Sequence, residues 1–247
     1  MRYLILSDLH ANLEATDAVL EAAATLSIDR ALVLGDLVGY GPNPNEVVDR
    51  VRGLTHPVVI RGNHDRVASG LSPDDGFNPT AQAAVRWAAA ALTSAARDYL
   101  LGLAAGPVAV DDRVEICHGA PFDEDFYVFS PSDAARALRA ATRPVCLFGH
   151  THVAVAYAGL DGGADAAGPY GAAPFTLALA GPGRWLLNCG AVGQPRDGDW
   201  RAAFGVLDTD ANTYAFHRVE YDVRTTQRRI RDAGLPASLA HRLDPGR

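Results

Sequence analysis

Tyr3-Leu4-Ile5-Leu6-Ser7-Asp8-Leu9-His10 is an apolar run of strand length that ends abruptly in two cation-binding side chains. The run predicts a buried β-strand over residues 3–7. In extended backbone residues two apart point the same way, so Asp8 and His10 are expected to face one place. The pattern then recurs along the chain. Residues 31–34 lead into Gly35-Asp36, and residues 58–61 into Gly62-Asn63-His64-Asp65. Residues 114–117 lead into His118-Gly119, and residues 145–148 into Gly149-His150-Thr151-His152. Between the first three runs lie helical patterns, one opening on Asn12 as N-cap and one running from Pro44 through Val47, Val48 and Val51. Strands separated by helices predict parallel βαβ units with right-handed crossovers. In open α/β sheets the ligand crevice lies outside the carboxyl ends of the strands, so all five clusters are expected to meet there.

The remaining chain fits a mixed α/β domain. A helical region is expected over residues 79–103, a hairpin over 108–118 turning at Asp111-Asp112, and a serine-capped helix over 132–141. Beyond His152 the pattern is mostly β, with runs at 153–157, 175–180, 185–188, 204–207 and 214–219. Residues 162–174, rich in Gly, Ala and Pro, read as a loop or hairpin tip. A polar helix over 223–233 closes the fold, and residues from about 235 to 247 are expected to fray. The sum is one domain over residues 1–247, with two sheets packed face to face and helices outside.

Bulk composition bounds the function. The chain has 247 residues, 48% of them hydrophobic and 21% charged, which is ordinary for a globular protein. A net charge of −7 gives no footprint for duplex nucleic acid. No apolar run is long enough to span a bilayer, and the opening run is too short for a signal peptide, so the cytoplasm is the expected compartment. The three cysteines, Cys117, Cys146 and Cys189, sit in or beside apolar runs and read as buried thiols.

Each cluster alone is a weak signal, and the conjunction decides. Five of the eight histidines fall at strand ends, leaving only His56, His217 and His241 elsewhere. Asparagine, histidine and aspartate together at residues 63–65 have no packing rationale. The D-x-H, G-D, G-N-H-D, H-G and G-H-T-H blocks together resemble the calcineurin-like metallophosphoesterase superfamily, and residues 187–199 are similar to the downstream segment of its small prokaryotic members. The resemblance implies a four-layer αββα sandwich and two transition-metal ions. It places Asp8, His10 and His152 on one ion, Asn63, His118 and His150 on the other, and Asp36 between them. His64, supported by Asp65, would serve as proton donor.

Elementary chemistry agrees with these roles. Nitrogen and oxygen ligands without thiolates suit manganese, iron or zinc. Two ions about 3.5–4 Å apart can share a hydroxide and clamp both oxygens of an in-line displacement. Two dications, two aspartates and that hydroxide leave a charge of about +1, which suits an anionic phosphate. A histidine with pKa near about 6.5 can protonate a departing alkoxide.

The expected substrate is a small nucleotide-like phosphomono- or phosphodiester. The segment Gly35-Asp36-Leu37-Val38-Gly39-Tyr40-Gly41-Pro42 lacks the Asp-Arg pair that protein phosphatases of the superfamily carry, and is similar to small bacterial and archaeal phosphoesterases. Those relatives leave dinucleoside polyphosphates and single-stranded nucleic acid as alternative substrates. A non-catalytic scaffold ranks last because His64 is present. Arg196, Arg61 and Asn12 are the candidates for holding substrate, and Tyr40, Phe122 and Tyr127 could stack on a base. Asp123-Glu124-Asp125 reads as a solvated acidic turn. Where small members of the superfamily often have glycine, this chain has Ala11.

Overall fold

A computed structural model describes residues 1–160, 163–169, 175–180 and 183–247. Strand β1 (Arg2–Leu6) leads into α1 (Leu13–Ala23), followed by β2 (Arg30–Val33), α2 (Pro44–Arg52) and β3 (Val58–Val59). These strands pair in parallel, as the alternation of runs requires. Asn12 caps α1, its side chain accepting from Ala15 N. Three helices come next: α3 (Asn63–Ser69), α4 (Pro79–Ala91) and α5 (Ser94–Leu101). Hairpin β4 (Val108–Ala109) and β5 (Val114–Ile116) precedes α6 (Pro131–Ala140) and β6 (Val145–Leu147). Strands β7 (Ala154–Leu160), β8 (Gly163–Pro169), β9 (Phe175–Ala178), β10 (Arg184–Cys189), β11 (Ala202–Asp208) and β12 (Thr213–Val219) follow. Helices α7 (Val223–Asp232) and α8 (Ala237–His241) close the order.

Among the described residues the strands form two mixed six-stranded sheets, ordered β3-β2-β1-β11-β12-β9 and β4-β5-β6-β10-β7-β8. Alternating side-chain direction along the strands builds the layers. Tyr3 and Ile5 of β1 join Ile116, Leu147, Leu187 and Phe216 in a core between the sheets. Leu4 and Leu6, one residue out of phase, face the other way and pack with Val19 of α1 and Val48 of α2. On the far side Cys146, Tyr157 and Leu186 pack against Ala134 and Leu138 of α6. Helices, sheet, sheet and helix make the four layers expected from the family resemblance.

Several local expectations change. A helix, α3, begins at the Asn63-His64-Asp65 cluster itself, because the Asp65 carboxylate accepts from Gly62 N (3.0 Å) and caps the first turn. The region 79–103 is two helices, since Thr93 caps a fresh start by accepting from Ala96 N. The serine cap of α6 is Ser130, with Pro131 in the first turn, two residues upstream of the expected start. Residues 163–169, read as loop, pair with β7 as β8, and Ala164 packs against the α6 core. The rest of that expected loop, residues 162 and 170–174, lies outside the described residues. Residues 235–247, expected to fray, hold α8, and Leu235, Leu239, Ala240 and Leu243 are buried against Tyr40 and α4.

Candidate metal centre

The chain ends of β1, β2, β5, β6 and β10 open at one edge of the two sheets, and hydrogen bonds tie their loops together. Asp8 N donates to Gly35 O (3.1 Å) and His10 N to Asp36 O (2.9 Å), fastening the first loop to the second. Gly193 N donates to Asp8 O (2.9 Å), and Gly149 N to His118 O (2.8 Å). The loops come too close for side chains at two crossings. A Cβ on Gly62 would strike the Asp36 carboxylate, and one on Gly149 the Ser7 hydroxyl.

Asp8 and His10 share a direction, but not through an extended strand. Their φ angles are 54° and 47°, and Asp36 (54°), His150 (67°) and His152 (59°) are also left-handed. Ala11 and Tyr40 complete seven such non-glycine residues lining these loops. Each left-handed turn folds a ligand pair back over the sheet edge, and such strain gathers where surrounding structure over-determines it.

Seven side chains thereby meet. Ligand atoms of Asp8, His10, Asp36 and His152 lie within 4.8 Å of one another, as do those of Asp36, His118 and His150. Asp36 belongs to both groups. Its Oδ1 accepts from the His64 backbone N–H (2.9 Å), while Oδ2 lies 3.5 Å from both His10 Nε2 and His118 Nε2. Asn63 Oδ1 is 3.2 Å from His118 Nε2, which joins it to the second group.

The backbone fixes the imidazole tautomers. Nδ1–H of His10 donates to Val38 O, that of His118 to Leu34 O, and that of His152 to Gln194 O. Each Nε2 thereby points inward, and those of His10 and His152 are bare lone pairs. His150 is turned the other way, its Nε2–H donating to Asp125 O (3.1 Å), so Nδ1 carries its lone pair. The Nε2 atoms of His10 and His152 stand only 3.1 Å apart. Two lone pairs at that distance repel unless a cation lies beside them. Asp8 Oδ1, fully buried, has no hydrogen-bond partner among the described residues. A buried charge without a partner is costly, and a cation removes that cost. The donor set therefore fits metal ions.

Titration behaviour shows the same need for positive charge. Burial pushes the Asp8 carboxyl up to about 6, and the nearby His118 opposes that rise. Burial acts on Asp36 too, yet His118 and His64 outweigh it and hold the carboxyl well below its usual range. Burial alone would depress His118, but Asp36 overrides it and raises the imidazole to about 10. His10 and His152 are driven well below the ordinary histidine value, chiefly by burial, and are neutral, as ligands must be.

Beside these groups is a cleft of about 80 Å³ lined by Asp36, Asn63, His64, Phe77, Tyr127, His150 and Arg196 among others. His64 is 3% exposed and its Nδ1 has no partner. Burial lowers its pKa to about 4, although Asp36 pulls the other way. Tyr40 and Phe77 pack on the ring at 4.4 and 4.7 Å. Arg196 reaches in from the loop after β10, one nitrogen donating to Gln194 Oε1 and its Nε unpartnered. A larger apolar cleft of about 320 Å³ lies at the opposite strand ends, among Leu4, Leu20, Ile28 and Leu54, away from the acidic and imidazole groups of the centre.

A family model described as the calcineurin-like phosphoesterase superfamily domain matches residues 1–212. The chain belongs to this superfamily. A crystal structure of a metallophosphoesterase from Sphaerobacter thermophilus superposes with a TM-score of 0.86 at 38% identity, covering 100% of this chain and 99% of that one. An uncharacterised protein of Methanocaldococcus jannaschii is 29% identical over 98% of this chain and 97% of its own length. The phosphodiesterase YfcE of Escherichia coli K12 is 34% identical over 74 residues, which cover 26% of this chain and 40% of YfcE. A calcineurin-like phosphoesterase is a hydrolase, and its family is metal-dependent, in keeping with the buried carboxylate and imidazole groups.

Not every residue expected at this phosphoesterase centre reaches it. Arg61 is held by Glu124 through two contacts of 3.3 Å and does not line the cleft. Asn12 is 1% exposed, and its amide is used up on Ala15 N, Gly193 O and the Thr226 hydroxyl. Asp65 bonds to the backbone of Gly62 and Val38, not to the His64 ring, so it braces the loop that carries His64. Phe122 packs on Phe126 under the Arg136 guanidinium, away from the cleft. The acidic turn is not simply solvated: Arg66 bridges Glu124 and Asp125 (2.7 Å to the latter), and that turn supplies the carbonyl that orients His150. Phe77, Asn78 and the start of α4 form a lip that the sequence marked only as the beginning, at Pro79, of a helical region. No helix among the described residues is long and apolar enough to cross a membrane.

Proposed function

We propose that this protein hydrolyses a small nucleotide-like phosphomono- or phosphodiester, using two transition-metal ions of the manganese, iron or zinc type. One observation carries the reading: Asp36 Oδ2 lies equidistant, at 3.5 Å, from the inward-facing Nε2 of one histidine in each group. Asp8, His10 and His152 would hold one ion, and Asn63, His118 and His150 the other. Ions bound there supply Lewis-acid polarisation of the phosphoryl group and lower the pKa of the attacking water.

The chain's own residues do the rest. Arg196, with its Nε unpartnered, takes phosphoryl oxygens. His64 stands at the cleft wall, where it delivers a proton to the leaving-group oxygen as the P–O bond breaks. Burial holds this imidazole low, and an anionic phosphoryl group beside it acts in the opposite direction, so substrate itself favours the protonated form. Phe77 and Tyr40 keep the ring in place and exclude water around it.

Manganese-reconstituted protein should hydrolyse nitrophenyl phosphomonoesters or diesters, and chelation should stop it. Elemental analysis should find two ions per chain. Full activity with one ion bound would overturn the dinuclear assignment.

A further inference from the structure

The cleft is too small to enclose a nucleotide. At about 80 Å³ it is well below the roughly 300–1,000 Å³ that encloses a whole organic ligand, so only the phosphoryl end enters. Whatever the phosphate is attached to must rest on the surface just outside. There the segment between the acidic turn and α6 presents two aromatic rings. Tyr127 lies face to face with His150, ring centroids 3.8 Å apart and planes 30° apart. Phe129 continues outward, parallel to Tyr127 within 5° and displaced by 5.4 Å. Tyr127 is 44% exposed and Phe129 63%, so the stack rises from the buried metal centre into solvent.

Both rings nevertheless leave large apolar area in water, which is unfavourable. Phe122 and Phe126 of the same segment show the ordinary solution, since they pack on each other and beneath Arg136. Tyr127 also lines the cleft together with Asp36, His64 and Arg196, so the exposed stack and the phosphoryl site are continuous.

We infer that Tyr127 and Phe129 form a stacking platform for a planar ring carried by the phosphoester, with a nucleobase as the fitting ligand class. This rests on the phosphoesterase reading and adds to it which substrates are preferred. Stacking is tolerant of base identity because every base presents a π face. The platform therefore selects nucleotides over aliphatic phosphoesters without choosing strongly among bases. Residues of the metal group position the phosphate, and the two rings hold the base at the far end of the same molecule.

The test compares manganese-loaded wild type with Phe129→Ala, Tyr127→Phe and Leu101→Ala. Two readouts are taken. One is the ratio of kcat/KM for a nucleoside nitrophenyl phosphodiester to that for an alkyl nitrophenyl phosphodiester. The other is the calorimetric affinity for adenosine 5′-monophosphate relative to inorganic phosphate. Wild type should favour the nucleoside compound in both, and Phe129→Ala should cut each preference by about ten-fold. Tyr127→Phe keeps the ring and should keep the preference. Leu101, exposed on α5 outside the cleft lining, controls for loss of an apolar surface residue. Equal preference in wild type and Phe129→Ala, with esters still hydrolysed, would overturn the platform and leave the phosphoesterase reading standing. No hydrolysis of any ester, with adenosine monophosphate still bound more tightly through Phe129, would overturn the enzymatic reading and leave the platform.

Discussion

The two halves of the candidate metal centre are built by different means. Asp8, His10 and His152 are held by backbone: their loops cross-bond to one another, and Val38 and Gln194 carbonyls fix both imidazoles. In the group of Asn63, His118 and His150 a carbonyl, Leu34 O, also fixes His118, but His150 leans on side chains near the rim. His150 takes its orientation from the Asp125 carbonyl, on a turn tied to α3 by Arg66 and to β3's exit by Arg61. One half is a product of chain geometry, deep and unscreened. The other rests partly on ion pairs that are about one-fifth exposed and answer to salt. A binding site can thus have one fixed wall and one adjustable wall, and the substrate cleft lies on the adjustable side.

Breaking what the halves share should have the largest effect. Asp36→Asn removes the charge that faces both, so metal content should fall from two ions towards none and turnover to background, measured by elemental analysis alongside hydrolysis. Removing the proton donor should spare both halves. His64→Ala is expected to keep two ions but lose about 10²–10⁴-fold in kcat, and unchanged turnover would refute the role given to His64. Arg66→Ala separates the halves: affinity for the second ion should drop about ten-fold, with the first hardly altered, in a stepwise manganese titration. Equal loss at both sites would erase the contrast between walls. The smallest effect is on the fixed wall. Ala11 has φ 50°, so Ala11→Gly relieves left-handed strain at the cost of a more flexible unfolded chain. A net gain of about 0.5 kcal/mol in denaturant unfolding is expected, while a loss of stability would show the turn to be unstrained.

The strand-end positions of both walls were the legible part, and the contacts that brace the second wall were not. Short apolar runs ending in Asp8, Asp36, His118 and His150 placed the strands, and the rule for strand carboxyl ends brought the clusters together. Tyr3 to Leu6 are apolar throughout, so the sequence marked β1 as buried without separating the two cores that its alternate residues enter. The adjustable wall was hard to read because its contacts are long-range pairings of common surface residues. Nothing local distinguishes Arg61, which meets Glu124, from Arg196, which reaches the cleft. Asn12 was misplaced for a related reason: an N-cap asparagine at a strand end looks the same whether its amide meets substrate or the Gly193 carbonyl. Helix α3 escaped notice because its seven residues open on the polar Asn63, His64 and Asp65, where an apolar stripe would otherwise announce it. Only the Asp65 cap, three residues after Gly62, signalled its start.

The left-handed turns at Asp8, His10, Asp36, His150 and His152 restrict how such a centre can change over generations. Aspartate and histidine, with asparagine, are the side-chain-bearing residues that enter this backbone region most readily. Glutamate and cysteine also bind transition metals, but their entry there is less favoured by the backbone, and glutamate would shift its carboxylate outward by a methylene as well. The ligand alphabet available to these positions is therefore narrowed twice, once by metal chemistry and once by torsion. A lineage exploring new metals from this scaffold would find substitution at Asn63 and His118, whose backbone is not left-handed, the more open route.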